Sequence, residues 1–438
     1  MHRQSIDVER KELMMSVEQA QLLLREGRIA EAERAFAAIL AQEPDQVQAL
    51  NVMALVAQRN ADFNSALALI ERARRVDALN PLTLHNHGRI LDAAERYEEA
   101  AAAQRAALKV APNLFAARLY LGRALERSGE PHQAILAYAR VLQDAQADGR
   151  WLNEASTPAA FRPLVEHAVL QVKQGRRATI ARLLEPLVRT YGRDSMRRVD
   201  KSLRVYFNEE ATALPESGQR PSFFHFPDIP VSPYLNRELF PWVDSFEAET
   251  RDIRRELLSL LPGSDGREPV FGSAALEADH LRGLGRPPTW NGYYFYRHGE
   301  RRNDNCDRCS RTAAALDSLP LCRIREHGPE VLFSVFTPGT HLLPHRGVTN
   351  VRVVAHLPLI VPENCQLVVG GQPHLWQEGR VVVFDDTYEH EAWNRSGETR
   401  VVLIFDLWSP YLSEAERAAL AVVIENIGDF RHEVEALP

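Results

Sequence analysis

From residue 17 to residue 146 the apolar positions follow a helical period, and the pattern itself returns every 34 residues. Ala20, Ala54, Gly88 and Gly122 occupy one position, and Ile29, Phe63, Tyr97 and Pro131 another. Ala32, Ala66, Ala100 and Ala134 hold a third, Phe36, Ile70, Gln104 and Tyr138 a fourth, and Pro44, Ala78, Pro112 and Gln146 a last. Small residues at fixed places let two helices approach closely, large ones fill the space beside them, and proline stops the second helix. The fourth unit departs from the pattern at Pro131 and Gln146, as suits the end of a stack. Residues 149–222 keep a helical but less regular period and read as a connector or an extension of the stack. The five prolines of "PESGQRPSFFHFPDIPVSPY" then break it and mark a domain boundary.

After one amphipathic helix predicted over Trp242–Pro262, the period falls to two. Strands are predicted at Val331–Thr337 and Asn350–Val361, and in "CQLVVG", "RVVVFDD" and "RVVLIFDLW". Their spacing suits an antiparallel sandwich or barrel, with "SEAERAALAVVIENIGDFR" as a closing helix outside it. Within "NVRVVAHLP", Val351, Val353, Ala355 and Leu357 form a core face. Arg352, Val354 and His356 share the other, facing either the barrel mouth or solvent. His345, His390 and Arg400 are equally out of place beside buried strands. Imidazole is a ligand for divalent iron, and a buried arginine calls for an anion. A metal beside a carboxylate-bearing co-substrate is the arrangement of 2-oxoglutarate-dependent oxygenases. Their usual ligands are His-x-Asp/Glu with a distal histidine, but here Gly347 stands where the acid is expected.

Two resemblances sharpen this reading. The 34-residue units over 17–148 resemble tetratricopeptide repeats, which implies a helical solenoid with a groove for a peptide or protein; a role limited to dimerisation or to buttressing the next domain is the alternative. The stretches "SVFTPGTHLLPHRGVTNVRVVAHLPL" and "EGRVVVFDDTYEHEAWNRSGETRVVLIFDLWSP" resemble the aspartyl/asparaginyl β-hydroxylase family, together with "WNGYYFYRHGERRNDN" upstream. That resemblance implies a double-stranded β-helix (jelly-roll, cupin-like) domain over 223–438, following a 1–16 tail, the repeats and a 149–222 helical connector. The whole is a multidomain α + β chain. It further implies Fe(II) held by His345 and His390, with the position of Gly347 left open, and O2 and 2-oxoglutarate as co-substrates. Ser334 and Arg400 would hold the distal carboxylate of 2-oxoglutarate, and His356 would contact it. Val354 replaces an arginine found in animal members, and Arg352 on the same face could partly substitute. Of Asp385 and Asp386, one is read as supporting a metal-bound water or imidazole; a turn-capping role is the alternative for each.

Composition constrains the partners. The chain is 45% hydrophobic and 25% charged with a net charge of −7, which gives no general attraction to nucleic acid or anionic membrane. The arginine-rich stretch 174–204 is read as the wet face of helices. No signal-like or membrane-spanning run is seen, and four cysteines in so long a chain are no disulfide framework, so a cytoplasmic protein without a membrane partner is expected. Self-association is left open. Cys306 and Cys309 form a single C-x-x-C pair, which is discounted as a zinc site. The expected activity is hydroxylation of an aspartyl, asparaginyl or related residue on a partner recruited by the repeats. The alternatives are a small amino-acid or lipid substrate, a halogenase outcome, and an adaptor with a silent barrel.

Overall fold

The computed structural model describes residues 16–211, 218–261, 266–270, 279–283 and 289–437. They belong to two compact units, Met1–Arg176 with Phe430–Pro438, and Arg177–Asp429.

The first unit is built of paired helices: Val17–Arg25 with Ile29–Gln42, Val47–Arg59 with Phe63–Val76, Pro81–Ala93 with Tyr97–Val110, and Phe115–Arg127 with Pro131–Ala147. The repeating small residues sit where the partner helix presses hardest. A Cβ added at Gly88 would lie 2.4 Å from Gln104 Nε2, and one at Gly122 would lie 2.5 Å from the Tyr138 ring. Gln104 is polar at an apolar position, yet it is satisfied: its Nε2 donates to the His85 carbonyl (3.1 Å) and its Oε1 meets His85 Nδ1 (2.8 Å). Pro131 is accommodated at the first turn of its helix, where no intrahelical N–H bond is lost. Gln146 does not stop that helix as proline would, and it runs on to Ala147. The 149–222 stretch gives a 30-residue helix, Arg162–Tyr191, and a shorter one, Arg197–Tyr206. The division between units falls inside the longer helix. No helix among the described residues is long and apolar enough to cross a membrane.

The second unit carries two antiparallel sheets. The larger follows the order β1 (Arg267–Pro269), β3 (Trp290–Arg297), β5 (Val331–Phe336), β12 (Arg400–Trp408), β7 (Arg352–Ile360), β10 (Val382–Phe384), with β4 (Glu300–Arg301) attached to β3. The smaller follows β2 (Leu281–Arg282), β6 (His341–His345), β11 (His390–Asn394), β8 (Cys365–Val369), β9 (Gln372–His374). Alternation gives the large sheet two different faces. Val331, Phe333, Val353, Ala355, Leu357, Val401, Leu403 and Phe405 pack outward with Phe246, Ile253, Leu257 and Leu316 of neighbouring helices. Phe336, Val354, Phe384 and Val402 face inward and join Leu342, Leu367 and Ala392 of the small sheet.

The helix predicted over Trp242–Pro262 is two helices, Val243–Ala248 and Thr250–Leu260. At the junction the Thr250 hydroxyl donates to the Glu247 carbonyl at 2.6 Å, a local bond that competes with the helical ladder. Strands β6 and β11, absent from the sequence-based assignment, complete the small sheet. All four cysteines are buried free thiols.

Candidate active site

The inward face of the large sheet and the small sheet enclose a cavity of about 380 Å³. Ser334, His345, Arg352, His356, His390 and Arg400 all line it. Six side chains spread over 67 positions of sequence thus meet in one space. A larger cleft, about 1140 Å³, runs beside the 197–206 helix, but it holds no comparable chemistry. Several of its charges are matched in pairs, Arg177 with Asp200, Arg198 with Glu416 and Lys201 with Asp228.

His345 ends β6 and His390 begins β11, and the two are direct cross-strand partners with ring centroids 4.0 Å apart. Each ring is fixed through Nδ1, which donates to a backbone carbonyl two residues upstream: Leu343 for His345 (2.9 Å) and Tyr388 for His390 (3.1 Å). A carbonyl can only accept, so Nδ1 carries the proton and Nε2 keeps its lone pair. Burial holds both imidazoles below the usual histidine range, and His390, also beside His345, falls to about 3. At neutral pH the pair is uncharged, adjacent and able to donate two nitrogens to one cation. Among the described residues no group of three or more His, Cys, Asp or Glu side chains is arranged to hold a metal.

Gly347 explains the missing third side chain sterically. A Cβ there would lie 2.2–2.3 Å from the carboxylate atoms of Asp386, which fills the adjoining space. Asp386 binds Arg352 through Oδ2 (3.0 Å), while its buried Oδ1 has no partner. Burial raises this carboxyl to about 7 against the pull of Arg352. Asp385, by contrast, is fully used by the Thr387 backbone N–H and hydroxyl (2.9 and 2.6 Å) and by Gln219 Nε2 (2.6 Å). The two neighbours therefore differ: Asp386 pairs with the cavity-lining Arg352, and Asp385 shapes the turn.

Arg400 is the most unusual group in the cavity. It is 1% exposed, lies 4.2 Å from the Trp376 ring and 4.5 Å from the Phe336 ring, and has no carboxylate partner. NH1 donates to Ser334 Oγ at 3.2 Å, and the buried Nε is unpaired. Burial pushes the guanidinium down to about 9. Ser334 Oγ also accepts from Trp290 Nε1 at 2.9 Å, so its own proton is free to be donated. His356 is buried too, with Nδ1 unpaired. Two buried polar atoms without a partner, Arg400 Nε and His356 Nδ1, thus share the cavity with the Ser334 hydroxyl, a donor set that fits an anion.

Arg352 lines the same cavity, but its charge is spent elsewhere. NH1 meets Asp406 Oδ1 at 2.6 Å and NH2 meets Asp386 Oδ2. Burial opposes its charge, yet the two carboxylates together outweigh it and hold the guanidinium above its usual range. Through these pairs Arg352 holds Asp386 against Gly347. Val354 presents only methyl groups to the cavity. Sequence reasoning missed Trp376 and Trp290, which brace Arg400 and Ser334, and Glu330, Tyr294, Arg297 and His298 at the far end of the cavity. The alternation Glu330, Leu332, Ser334, Phe336 was the available signal for Glu330.

Comparison with known proteins identifies relatives of both regions of the chain. Residues 247–410 match the Aspartyl/Asparaginyl beta-hydroxylase family, and residues 17–81 and 85–149 match the Tetratricopeptide repeat. A Mus musculus protein, "Aspartate beta-hydroxylase domain-containing protein 2", is 32% identical over 242 residues, 54% of this chain and 68% of that one. The chain belongs to the aspartyl/asparaginyl β-hydroxylase family. The Homo sapiens protein of the same name is 31% identical over 243 residues, which span 54% of this chain and 63% of its own length. A Rhizobium tropici relative, "Ornithine lipid ester-linked acyl 2-hydroxylase", is 35% identical over 186 residues, 42% of this chain and 63% of that one. The matched regions are thus a β-hydroxylase-family domain and a tetratricopeptide-repeat region.

Proposed function

We propose that this β-hydroxylase-family chain is an Fe(II)- and 2-oxoglutarate-dependent dioxygenase on a double-stranded β-helix, acting on an aspartyl, asparaginyl or related residue of a protein recruited by the repeats. The observation that carries the reading is Arg400, a buried cation with no carboxylate, opposite two imidazoles with free lone pairs. In this reading Arg400 and the Ser334 hydroxyl grip one carboxylate of 2-oxoglutarate, charge-assisted bonds that gain strength from exclusion of water. His345 and His390 would hold the iron, which supplies oxygen activation when bound. Asp386, held by Arg352, would accept a hydrogen bond through its unpartnered Oδ1 from a small ligand beside the iron. His356 and Phe384, whose rings meet edge to face at 4.9 Å, line the cavity between them.

An acyl chain is a second reading. It is supported by the cavity's Val270, Leu332, Leu342, Val354, Leu367 and Ile404, and by the name of the Rhizobium tropici relative. The test common to both uses purified protein with Fe(II), ascorbate and 2-oxoglutarate. Succinate is expected at a slow basal rate without substrate, and none from His345→Ala or His390→Ala. Wild-type protein that makes no succinate and binds no Fe(II) overturns the proposal.

A further inference from the structure

We infer that Gln219 is a positioning residue for the iron site: from a strap of chain upstream of the matched residues 247–410, it fixes the turn that aims the His390 imidazole. This rests on the oxygenase reading above and adds to it a residue that touches neither histidine.

The two imidazoles are supported differently. His345 ends β6, and its Nδ1 donates to the Leu343 carbonyl of the same strand (2.9 Å). His390 begins β11, so the carbonyl it reaches, that of Tyr388 (3.1 Å), belongs to the preceding turn. The direction of the His390 lone pair therefore follows the Asp385–Tyr388 turn. Outer hydrogen bonds of this kind orient a ligating imidazole. With two such ligands in place of three, each carries a larger share of the metal's placement.

Asp385 is the hub of that turn. Its carbonyl accepts from the Tyr388 N–H (3.3 Å), and its Oδ1 from the Thr387 N–H and hydroxyl (2.9 and 2.6 Å). Its Oδ2 accepts from Gln219 Nε2 at 2.6 Å. Asp385 is 6% exposed and Gln219 1%, so solvent is a poor substitute for that donor.

The strap holds Gln219 still. The Arg220 N–H donates to the Thr387 carbonyl (3.0 Å), and Arg346, just after His345, donates to the Gly218 carbonyl. Further along, the Phe223 and Phe224 N–H groups donate to the Val348 carbonyl (2.9 and 3.2 Å). The Asn350 side chain accepts from the Phe226 N–H (2.7 Å) and donates to the Phe226 carbonyl (2.8 Å). Phe224 and Phe226 are buried and anchor this end. Residues 218–226 thus bridge the loop that follows His345 and the turn that precedes His390.

The test uses the full chain, first metal-free and then with Co(II) as a stand-in for Fe(II). Gln219→Leu removes the donor at similar size. The reversed pair, Gln219→Glu with Asp385→Asn, keeps one N–H···O bond and one buried charge, while Oδ1 at position 385 goes on accepting from Thr387. Loss of an outer partner of a ligating histidine corresponds to about ten- to hundredfold weaker metal binding. Gln219→Leu should bind Co(II) more weakly by that factor in calorimetry. It should need correspondingly more Fe(II) for half-maximal succinate formation, with kcat at saturating Fe(II) kept. The reversed pair should recover the affinity. In the metal-free protein, hydrogen exchange at Thr387 and Tyr388 should quicken in Gln219→Leu, while β5 and β12 exchange as in wild type. Wild-type Co(II) affinity in Gln219→Leu, a reversed pair as weak as that variant, or exchange that quickens equally throughout the sheets overturns the inference. Wild type that binds no Co(II) and makes no succinate would instead mean that the oxygenase reading has failed. Exchange at Thr387 and Tyr388 would still decide whether Gln219 sets the turn.

Discussion

Replacing Arg400 with methionine should stabilise the free protein and abolish its response to 2-oxoglutarate. The guanidinium is 1% exposed with a single hydrogen bond to a protein side chain, to Ser334. Its fall from 12.5 to about 9 is, at about 1.4 kcal/mol per tenfold change in proton affinity, a penalty of roughly 5 kcal/mol. Contacts with the Trp376 and Phe336 rings return about 1–2 kcal/mol each, leaving a net cost near 2 kcal/mol. The sign follows from proton binding. Below about pH 9 both states carry the charge and the penalty is full; it declines as pH rises towards 12.5, where the unfolded chain alone stays protonated. Methionine matches the shape without the charge, so thermal unfolding near pH 7.5 should move up by about 5 °C for a unit of this size. Adding 2-oxoglutarate at a hundred times its dissociation constant should stabilise wild type by about 2.7 kcal/mol and leave the variant unmoved. A variant less stable than wild type without ligand, or one stabilised equally by 2-oxoglutarate, refutes the argument that Arg400 is held in readiness for an anion.

Gly347→Asp should not build a third ligand, because its Cβ would collide with the Asp386 carboxylate; loss of stability is expected in unfolding assays, and Asp386→Ala in the same chain should recover part of it. Arg352→Met strands two buried carboxylates and should cost about 3–5 kcal/mol in denaturant titration, whereas a residue serving chiefly as a co-substrate contact would weaken 2-oxoglutarate binding with little loss of stability. Glu330→Gln should equal wild type in stability near pH 4.5 and exceed it by up to roughly 3 kcal/mol above pH 7. The sign holds because the folded protein keeps the Glu330 proton after the unfolded chain has released it, so wild type loses stability as pH rises through that window. Parallel pH–stability curves for the two proteins would remove this account.

What the sequence disclosed depended on whether a residue's surroundings were local. The 34-residue phase exposed the helix pairs because Gly88 and Gln104, or Gly122 and Tyr138, recur at fixed offsets. Alternation in β7 separated Val353 and Ala355 from Arg352 and His356, since a strand facing a core on one side must alternate. The same rule failed for β6 and β11. Their inward positions carry the histidines, so the polar residues that make the site erase the apolar signal of the strand. Nor could spacing choose between Asp385 and Asp386. Gln219, 166 positions away from Asp385, satisfies one, and Gly347 makes room for the other. Arg352 looked available because its two carboxylates come from the end of β10 and from β12.

The two-faced large sheet sets a limit on transplanting this site. In the large sheet, a strand that presents a polar side chain to the cavity turns its neighbour in sequence into the packed layer behind, as with Arg400 and Val401 or Ser334 and Phe333. A single-residue insertion anywhere along β5 or β12 would exchange the two sets at once, putting charge among aromatic rings and methyl groups into the cavity. The chemistry is therefore portable only as whole strands with their helical backing. Grafting experiments should move sheets, and deep mutational scans should find that indels in these strands are tolerated less than any substitution.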